Sequence, residues 1–298
     1  MFINKKSQGD ILGYVTHDIT DKFGRLLLAE GTPLTTNLIL KLRNRNICFR
    51  MAADPLGTAQ SSEENLNDSP FELPKKLDEK LERLDIESVE SASKYLNYVL
   101  REMQNDFSLS NIIKAFSQGQ RATYAHSINV AIISVAIAEK MQFSNKALQE
   151  IAIGALLHDV GKMLFPPSVL AATSTINDSQ DIIYQQHTRI GADVLVSDKL
   201  PPGIYLIAQQ HHERYVGGGY PNGIKENEIH INSCIVSVAN VFDRLTCAIF
   251  QRNPLSPDEA IERILLDKGI SFHPSVVEFF EELFKKETDF GECDVNYC

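Results

Sequence analysis

Long apolar runs are missing from this sequence. The longest apolar stretch, NVAIISVAIA, has ten residues, well short of the ~20 that a membrane-spanning helix needs. The first residues, MFINKKSQGD, have no apolar segment after their lysines, which argues against a signal peptide. We therefore predict a cytoplasmic protein without a membrane partner.

Cysteine is scarce and never paired in sequence. The five cysteines are odd in number and nowhere in CxxC spacing; they are Cys48, Cys234, Cys247, Cys293 and Cys298. This usage excludes a zinc-finger pattern and does not predict a disulfide framework. It is typical of free thiols in a reducing compartment.

Basic residues are also in the minority. The chain has 29 lysines and arginines against 39 aspartates and glutamates, a formal net charge of −10. A protein that binds DNA or RNA normally carries a basic face that displaces counterions from the phosphates. We therefore expect no nucleic-acid partner. If the protein handles a phosphate ester, a bound metal is the obvious local source of positive charge.

The 298 residues are 43% hydrophobic and 23% charged, as in soluble globular proteins. Residues 1–52 predict a small α+β regulatory module, because short apolar stretches alternate with turn residues and a helix follows Thr36. Residues 53–75 are polar and broken, as in a linker. Residues 76–298 read as successive helices without intervening strands, so we predict a mainly α protein with an all-helical bundle.

A long amphipathic helix is predicted near residues 76–104. Apolar residues recur there at three- and four-residue spacing among strong helix formers. Such a helix must bury its apolar stripe. A homodimer through this helix is one way to do so.

The histidines carry the strongest chemical signal. His17, His230 and His273 fall in loop-like or terminal contexts, where we expect solvated side chains. A single histidine on a helix is usually a satisfied polar residue, but five lie on successive predicted helices or at their ends: His126, His158, His187, His211 and His212. Bundles build metal sites from side chains that face inward on neighbouring helices.

Asp159 directly follows His158 in the sequence. Adjacent residues can serve one site only near a helix end, and Gly161 is the expected helix terminator there. Imidazole with carboxylate suits iron, manganese, zinc or nickel. The spacing therefore predicts a metal site.

Several blocks in order give the sequence a recognisable pattern. HSINVA, LLHDVGKMLFP, HTRIGADVL, HHERYVGGGYPNGI and IVSVANVFDRLT, within residues 105–290, resemble the HD-GYP family, a branch of the HD superfamily of metal-dependent phosphohydrolases. The first module resembles, more weakly, a small domain often found before HD-GYP domains. The resemblance implies hydrolysis of cyclic di-GMP to pGpG or GMP.

The resemblance also implies a ligand set for two divalent ions, iron or manganese. Asp159 would lie between the two ions. The other implied ligands are His126 and His158 with Asn240 for the first ion, His187 and His211 for the second, and His212 for a third ion where one exists.

The remaining implied roles concern the substrate. Lys162 would hold phosphate or the oxygen between the metals as a point charge. The alternative for Lys162 is a solvated side chain at a helix end. The glycines Gly217, Gly218 and Gly219 can adopt positive φ and leave room for a bulky ligand. The implied substrate contacts are Gly219, Tyr220, Pro221 and Arg252.

Three positions depart from the family pattern. Asn240 stands where an aspartate ligand is usual, so the first site should hold its ion less tightly. Ala122 stands where three-metal members carry glutamate, so we expect no third metal. Val216 replaces a common aspartate. Asp243, three residues after Asn240, could reach inward, but we expect it beside the ligands or on the substrate side.

These departures leave three functions open. The first is an active cyclic di-GMP phosphodiesterase. The second is a degenerate, non-hydrolysing member that binds cyclic di-GMP or a protein, with GGDEF-type synthases as candidate partners. The third is an HD phosphohydrolase that acts on another nucleotide.

Overall fold

The protein is described here from a computed structural model. The structure describes residues 11–15, 19–20, 26–28, 32–35, 51–52, 69–74, 76–165, 178–248, 251 and 253–284. The helix predicted after Thr36, most of the predicted linker and Arg252 lie outside these residues. So do three of the cysteines and His17.

Short strands form the described part of the N-terminal module. They are β1 (Ile11–Val15), β2 (Ile19–Thr20), β3 (Leu26–Leu28), β4 (Pro33–Thr35) and β5 (Met51–Ala52). The order β4-β1-β5 gives one antiparallel sheet, and β2 pairs antiparallel with β3. Strands with intervening turns were predicted for this stretch; the strands are confirmed, and most of the residues predicted to form turns lie outside the described residues.

Helices make up the rest. They are α1 (Ile86–Asn105), α2 (Phe107–Gly119), α3 (Arg121–Lys140), α4 (Asn145–Leu157), α5 (Asp178–Ser197), α6 (Pro202–Gln210), α7 (Ile231–Thr246), α8 (Pro257–Leu266) and α9 (Pro274–Glu281). Short 3-10 helices cover Glu79–Arg83, Val160–Leu164 and Glu226–Glu228. The mainly α fold is confirmed.

α3 is the central helix of the bundle. It packs against α1, α4 and α7, and it is buried almost all round from Val130 to Ala138. A helix that is apolar on every side belongs in a core. α3 is also the one described helix with the length and hydropathy of a membrane span, but 78% of that window is buried inside the bundle. This burial fits a core helix, and the cytoplasmic location stays a prediction.

The single helix predicted for residues 76–104 is broken in two. The first piece, a 3-10 helix, ends at Arg83 with Leu84 as its C-cap. Asp85 caps α1, because its carboxylate accepts a hydrogen bond from the Ser88 amide at 3.1 Å. The apolar stripe of α1, which includes Leu96 and Leu100, is fully buried in the chain's own core. The stripe therefore gives no support to a dimer through this helix.

Candidate metal centre

The five helical histidines and Asp159 come together in the bundle. His126 lies on α3 and His187 on α5, whereas His158 and His211 are the residues that end α4 and α6. Neighbouring imidazole rings lie 4.2 to 5.5 Å apart between centroids. His158 and His187 are fully buried, and Asp159 is 1% exposed. The predicted convergence of these side chains is what the structure shows.

Main-chain carbonyls fix the orientation of three of these rings. Nδ1 of His158 lies 2.7 Å from the Ala155 carbonyl oxygen, and Nδ1 of His187 lies 2.6 Å from that of Tyr184. Nδ1 of His211 lies 3.0 Å from two carbonyl oxygens of α6. A carbonyl can only accept a hydrogen bond, so Nδ1 carries the proton. Nε2 is then left with a lone pair, as metal-binding histidines require.

These lone pairs face the Asp159 carboxylate. Asp159 Oδ1 lies 3.4 Å from Nε2 of His187 and 3.7 Å from Nε2 of His211, while Oδ2 lies 3.4 Å from Nε2 of His158. None of these three Nε2 atoms has a hydrogen-bond partner, nor does Asp159 Oδ1 or Nε2 of His212. Buried acceptors without donors are costly. A cation among them would satisfy all of them, so the residues fit a metal.

Two groups of candidate ligand atoms can be distinguished, each within 4.8 Å internally. One is His126, His158 and Asp159, and the other is His187, His211 and His212. The structure thus groups His212 with the second set, where the resemblance had implied a separate third position. Asp159 belongs to the first group, with Oδ2 near His158, and its Oδ1 faces His187 and His211 of the second group.

The charge state of the centre favours cation binding. Burial lowers the pKa of His187 to about 3, and burial also lowers the pKa values of His211 and His212 well below normal. These imidazoles are therefore neutral at physiological pH. Burial would raise the pKa of Asp159, but Lys162 and His158 keep this pKa well below its usual value. His187, His211 and His212 are therefore neutral nitrogen donors close to the Asp159 carboxylate.

His126 is held differently from the other rings. Its Nδ1 lies 2.5 Å from Asp243 Oδ2, and its Nε2 lies 3.1 Å from Asn240 Oδ1. Asn240 therefore stands beside a ligand nitrogen, as the sequence led us to expect. Asp243 orients the ring from behind, which agrees with the expected place beside the ligands. Asp243 is also paired with Lys80, whose Nζ lies 2.8 Å from Oδ1.

Lys162 is buried, so the solvated alternative is wrong. The residue is 4% exposed and its Nζ pairs with Asp159 Oδ2. The same Nζ lies 5.2 Å from the centroid of the Tyr184 ring. Lys162 thus lies beside the carboxylate that faces both ligand groups.

Gly161 does not act as a left-handed helix terminator. α4 ends at Leu157, and Gly161 lies within the following 3-10 helix with no positive φ. A Cβ there would lie 2.0 Å from the His187 carbonyl oxygen. Glycine is required because α5 approaches the backbone closely, and this approach brings His187 beside Asp159.

The glycine-rich loop packs against the second ligand group. Gly217 and Gly218 have φ of 91° and 77°, as predicted, whereas Gly219 has no positive φ. A Cβ on Gly219 would lie 2.5 Å from the Arg214 nitrogen, so Gly219 too serves a close approach. The Tyr220 ring stacks on His212, with centroids 4.6 Å apart and planes 21° apart.

Three further residues of the site are not among those singled out from the sequence. Glu213 is 3% exposed and accepts the Asn222 amide at 2.7 Å, which anchors the loop. Arg189 donates to the Pro221 carbonyl at 2.9 Å. Burial would lower the pKa of Arg244, but Tyr184, Asp159 and other acidic groups raise it. The adjacency of Glu213 to the histidine pair was a usable signal. The other contacts depend on tertiary packing.

Two departures from the family pattern are exposed residues. Ala122 is exposed, and Val216 is 54% exposed. His230 and His273 stand at the N-caps of α7 and α9 and are only partly exposed. Both histidines are therefore less exposed to solvent than we expected.

A buried histidine–aspartate centre between helices defines a class of metal-dependent helical proteins. The family model for the HD domain matches residues 108–276, which is more than half of the chain. The protein belongs to the HD domain family, and the family resemblance seen in the sequence blocks is confirmed.

Curated relatives share this region. The chain is 39% identical over 170 residues to a cyclic di-GMP phosphodiesterase of Thermotoga maritima, covering 56% of this chain and 46% of the relative. It is 31% identical over 187 residues to 3'3'-cGAMP-specific phosphodiesterase 2 of Vibrio cholerae, covering 61% and 35%. The chain spans less than half the length of these relatives. Among solved structures, the chain resembles Bd1817, described as an HDG"Y"P protein from Bdellovibrio bacteriovorus, with 19% identity and a TM-score of 0.48. The match covers 92% of this chain and 95% of the Bd1817 chain.

Proposed function

We propose that the protein is a metal-dependent phosphodiesterase that hydrolyses cyclic di-GMP to pGpG or GMP. The observation that carries the proposal is the set of buried Nε2 lone pairs directed at Asp159 with no hydrogen-bond partner. Relatives named as phosphodiesterases of cyclic di-GMP and of 3'3'-cGAMP support the substrate class.

Two divalent ions, iron or manganese, would be held by the two ligand groups. The first ion would be held by His126, His158 and Asn240. The second ion would be held by His187, His211 and His212. Asp159 would serve both ions. Bound divalent ions supply Lewis-acid activation of the phosphodiester and of water. No further cofactor is needed for hydrolysis.

The chain's own residues would orient the substrate. Lys162 is the nearest cation to Asp159 and would hold a phosphate oxygen as a point charge. Arg244, whose guanidinium interacts with Tyr184 and Asp159, is the second candidate for phosphate. Gly219, Tyr220 and Pro221 form the loop edge beside His212, where a guanine base can stack on the tyrosine. Arg252 stays a prediction for the same role.

Asn240 favours one second candidate function. Its amide carries no charge, so the first position has Asp159 as its only anionic ligand. An under-occupied first position would give a receptor that binds cyclic di-GMP without turnover. A protein-interaction role with GGDEF-type synthases, and a homodimer, also stay predictions.

Anaerobic turnover tests the proposal. Protein reconstituted with iron or manganese is incubated with cyclic di-GMP or 3'3'-cGAMP, and products are separated by chromatography. We expect pGpG or GMP from cyclic di-GMP, and loss of both bound metal and turnover in Asp159→Ala. Asp198→Ala is the matched control, because Asp198 contacts Ser108 rather than the histidines.

Two outcomes would count against the proposal. Intact substrate with two ions verified in the sample would favour the receptor. Unchanged metal content in Asp159→Ala would refute the assignment of the metal centre.

A further inference from the structure

Lys80 is a buried cation that precedes the helical bundle. It lies in the 3-10 helix Glu79–Arg83, and its side chain is 5% exposed. Its Nζ lies 2.8 Å from Asp243 Oδ1 and 3.0 Å from Asp78 Oδ2. The Asp243 side chain is fully buried, whereas that of Asp78 is 41% exposed. Lys80 thus joins the segment after the predicted linker to the inward face of α7.

The other oxygen of Asp243 orients a metal ligand. Asp243 Oδ2 lies 2.5 Å from Nδ1 of His126. The rings of His158, His187 and His211 are instead held by carbonyls of their own helical turns. The orientation of these three rings therefore depends only on the helical turn to which each ring belongs. The orientation of His126 depends on a side chain from another helix, and that side chain depends on Lys80.

We propose that Lys80 is a positioning residue for the first metal position, acting through Asp243 on His126. Occupancy of this position then depends on docking of the Glu79–Arg83 segment against α7. The inference rests on the proposed function in one respect, the role of His126 as a metal ligand.

The physical basis is the fixing of a buried carboxylate from two sides. Lys80 lies 2.8 Å from Oδ1 and His126 lies 2.5 Å from Oδ2, so each oxygen of Asp243 has a partner from a different element. Without the ammonium, a buried charge loses its partner and the carboxylate must move or recruit water. Loss of an outer partner of a metal-bound histidine typically weakens metal affinity by about 10–100-fold. That partner is Asp243, so this range is the upper limit for loss of Lys80, which acts through it. Because Asn240 adds no negative charge, the first metal position has fewer charged ligands to keep its ion bound after such a loss.

The test uses the full-length protein, freed of metal and titrated with Mn²⁺ while electron paramagnetic resonance separates paired from single ions. The variants are Lys80→Met, Lys80→Gln, which keeps a polar group if the first fails to fold, and Lys80→Arg as the rescue. Arg83→Met is the matched control. It breaks the ion pair of the same segment with Asp258, at 2.5 Å, and this pair does not involve a histidine.

Wild type, Lys80→Arg and Arg83→Met should bind two ions with a paired signal. In Lys80→Met and Lys80→Gln, the first metal position should bind its ion up to about 10–100-fold more weakly. These variants should then give a single-ion signal. Two tightly bound ions in both neutral variants, or equal loss in Arg83→Met, would overturn the proposal, as would a wild type that binds no metal. Two ions without hydrolysis in wild type would refute the enzyme and leave the role of Lys80 standing.

Discussion

Replacement of Asn240 by aspartate should tighten metal binding at the first position. The Asn240 side chain is buried at 2% exposure, with Oδ1 3.1 Å from Nε2 of His126. Aspartate has the same shape and adds one negative charge where a divalent ion would sit. The perturbation therefore changes charge with little change in packing.

The size of the gain follows from two opposing effects. Unit charges ~4 Å apart at an effective dielectric of ~20 attract by about 4 kcal/mol. Burial of a second carboxylate near Asp159 and Asp243 offsets much of this attraction. We expect a net gain of roughly 1.4–2.8 kcal/mol, or about 10–100-fold in affinity for the first ion.

Isothermal titration of the metal-free protein with Mn²⁺ measures the effect. Asn232→Asp is the matched control, because Asn232 lies on the same helix, is equally buried and donates to the Gly203 carbonyl at 3.1 Å. The control should lose about 1–3 kcal/mol of stability through the lost donor, with metal affinity unchanged. Equal affinity in Asn240→Asp and wild type would refute the assignment of Asn240 to the metal position.

Two further substitutions test the geometry around the centre. Gly161→Ala should reduce metal content and lower stability by about 3 kcal/mol or more, because a Cβ would lie 2.0 Å from the His187 carbonyl oxygen. Thermal unfolding with metal analysis measures both effects, and Gly119→Ala, with open space around it, should be neutral or stabilising. Glu213→Gln should cost about 1 kcal/mol, because the glutamine oxygen can still accept from the Asn222 amide but no longer carries a charge. Proteolysis should then cut the glycine-rich loop faster, and an unchanged cleavage rate would contradict the anchoring role.

The sequence predicts the bundle and most of the centre because both follow local rules. Helical periodicity and the polar joints locate the helices, and five histidines on successive helices predict a shared inward face. The assignment of His212 to a third metal position stays a prediction, and the structure groups its ligand atom with those of His187 and His211. Ring positions at the end of α6 depend on how the glycine-rich loop folds back, and Tyr220 stacks on His212 only after that loop has closed.

Gly161 shows why a local rule can place a boundary and misjudge its cause. A glycine directly after a helix commonly has positive φ, but α4 already ends at Leu157, four residues before Gly161. The constraint on Gly161 nevertheless comes from α5, which contributes His187. No local pattern records this contact.

Lys80 and Lys162, both buried, likewise show that the charges around the centre depend on tertiary packing. The side chains of Lys80 and Lys162 are each 5% exposed. A buried ammonium is costly unless a carboxylate pairs with it. Here the carboxylates are Asp243, which contacts His126 of the first ligand group, and Asp159, which belongs to that group. The aspartates were visible as candidates in the sequence, whereas the lysines that fix them became visible only through packing. Charge at this centre is therefore set by residues whose own positions depend on the folded bundle.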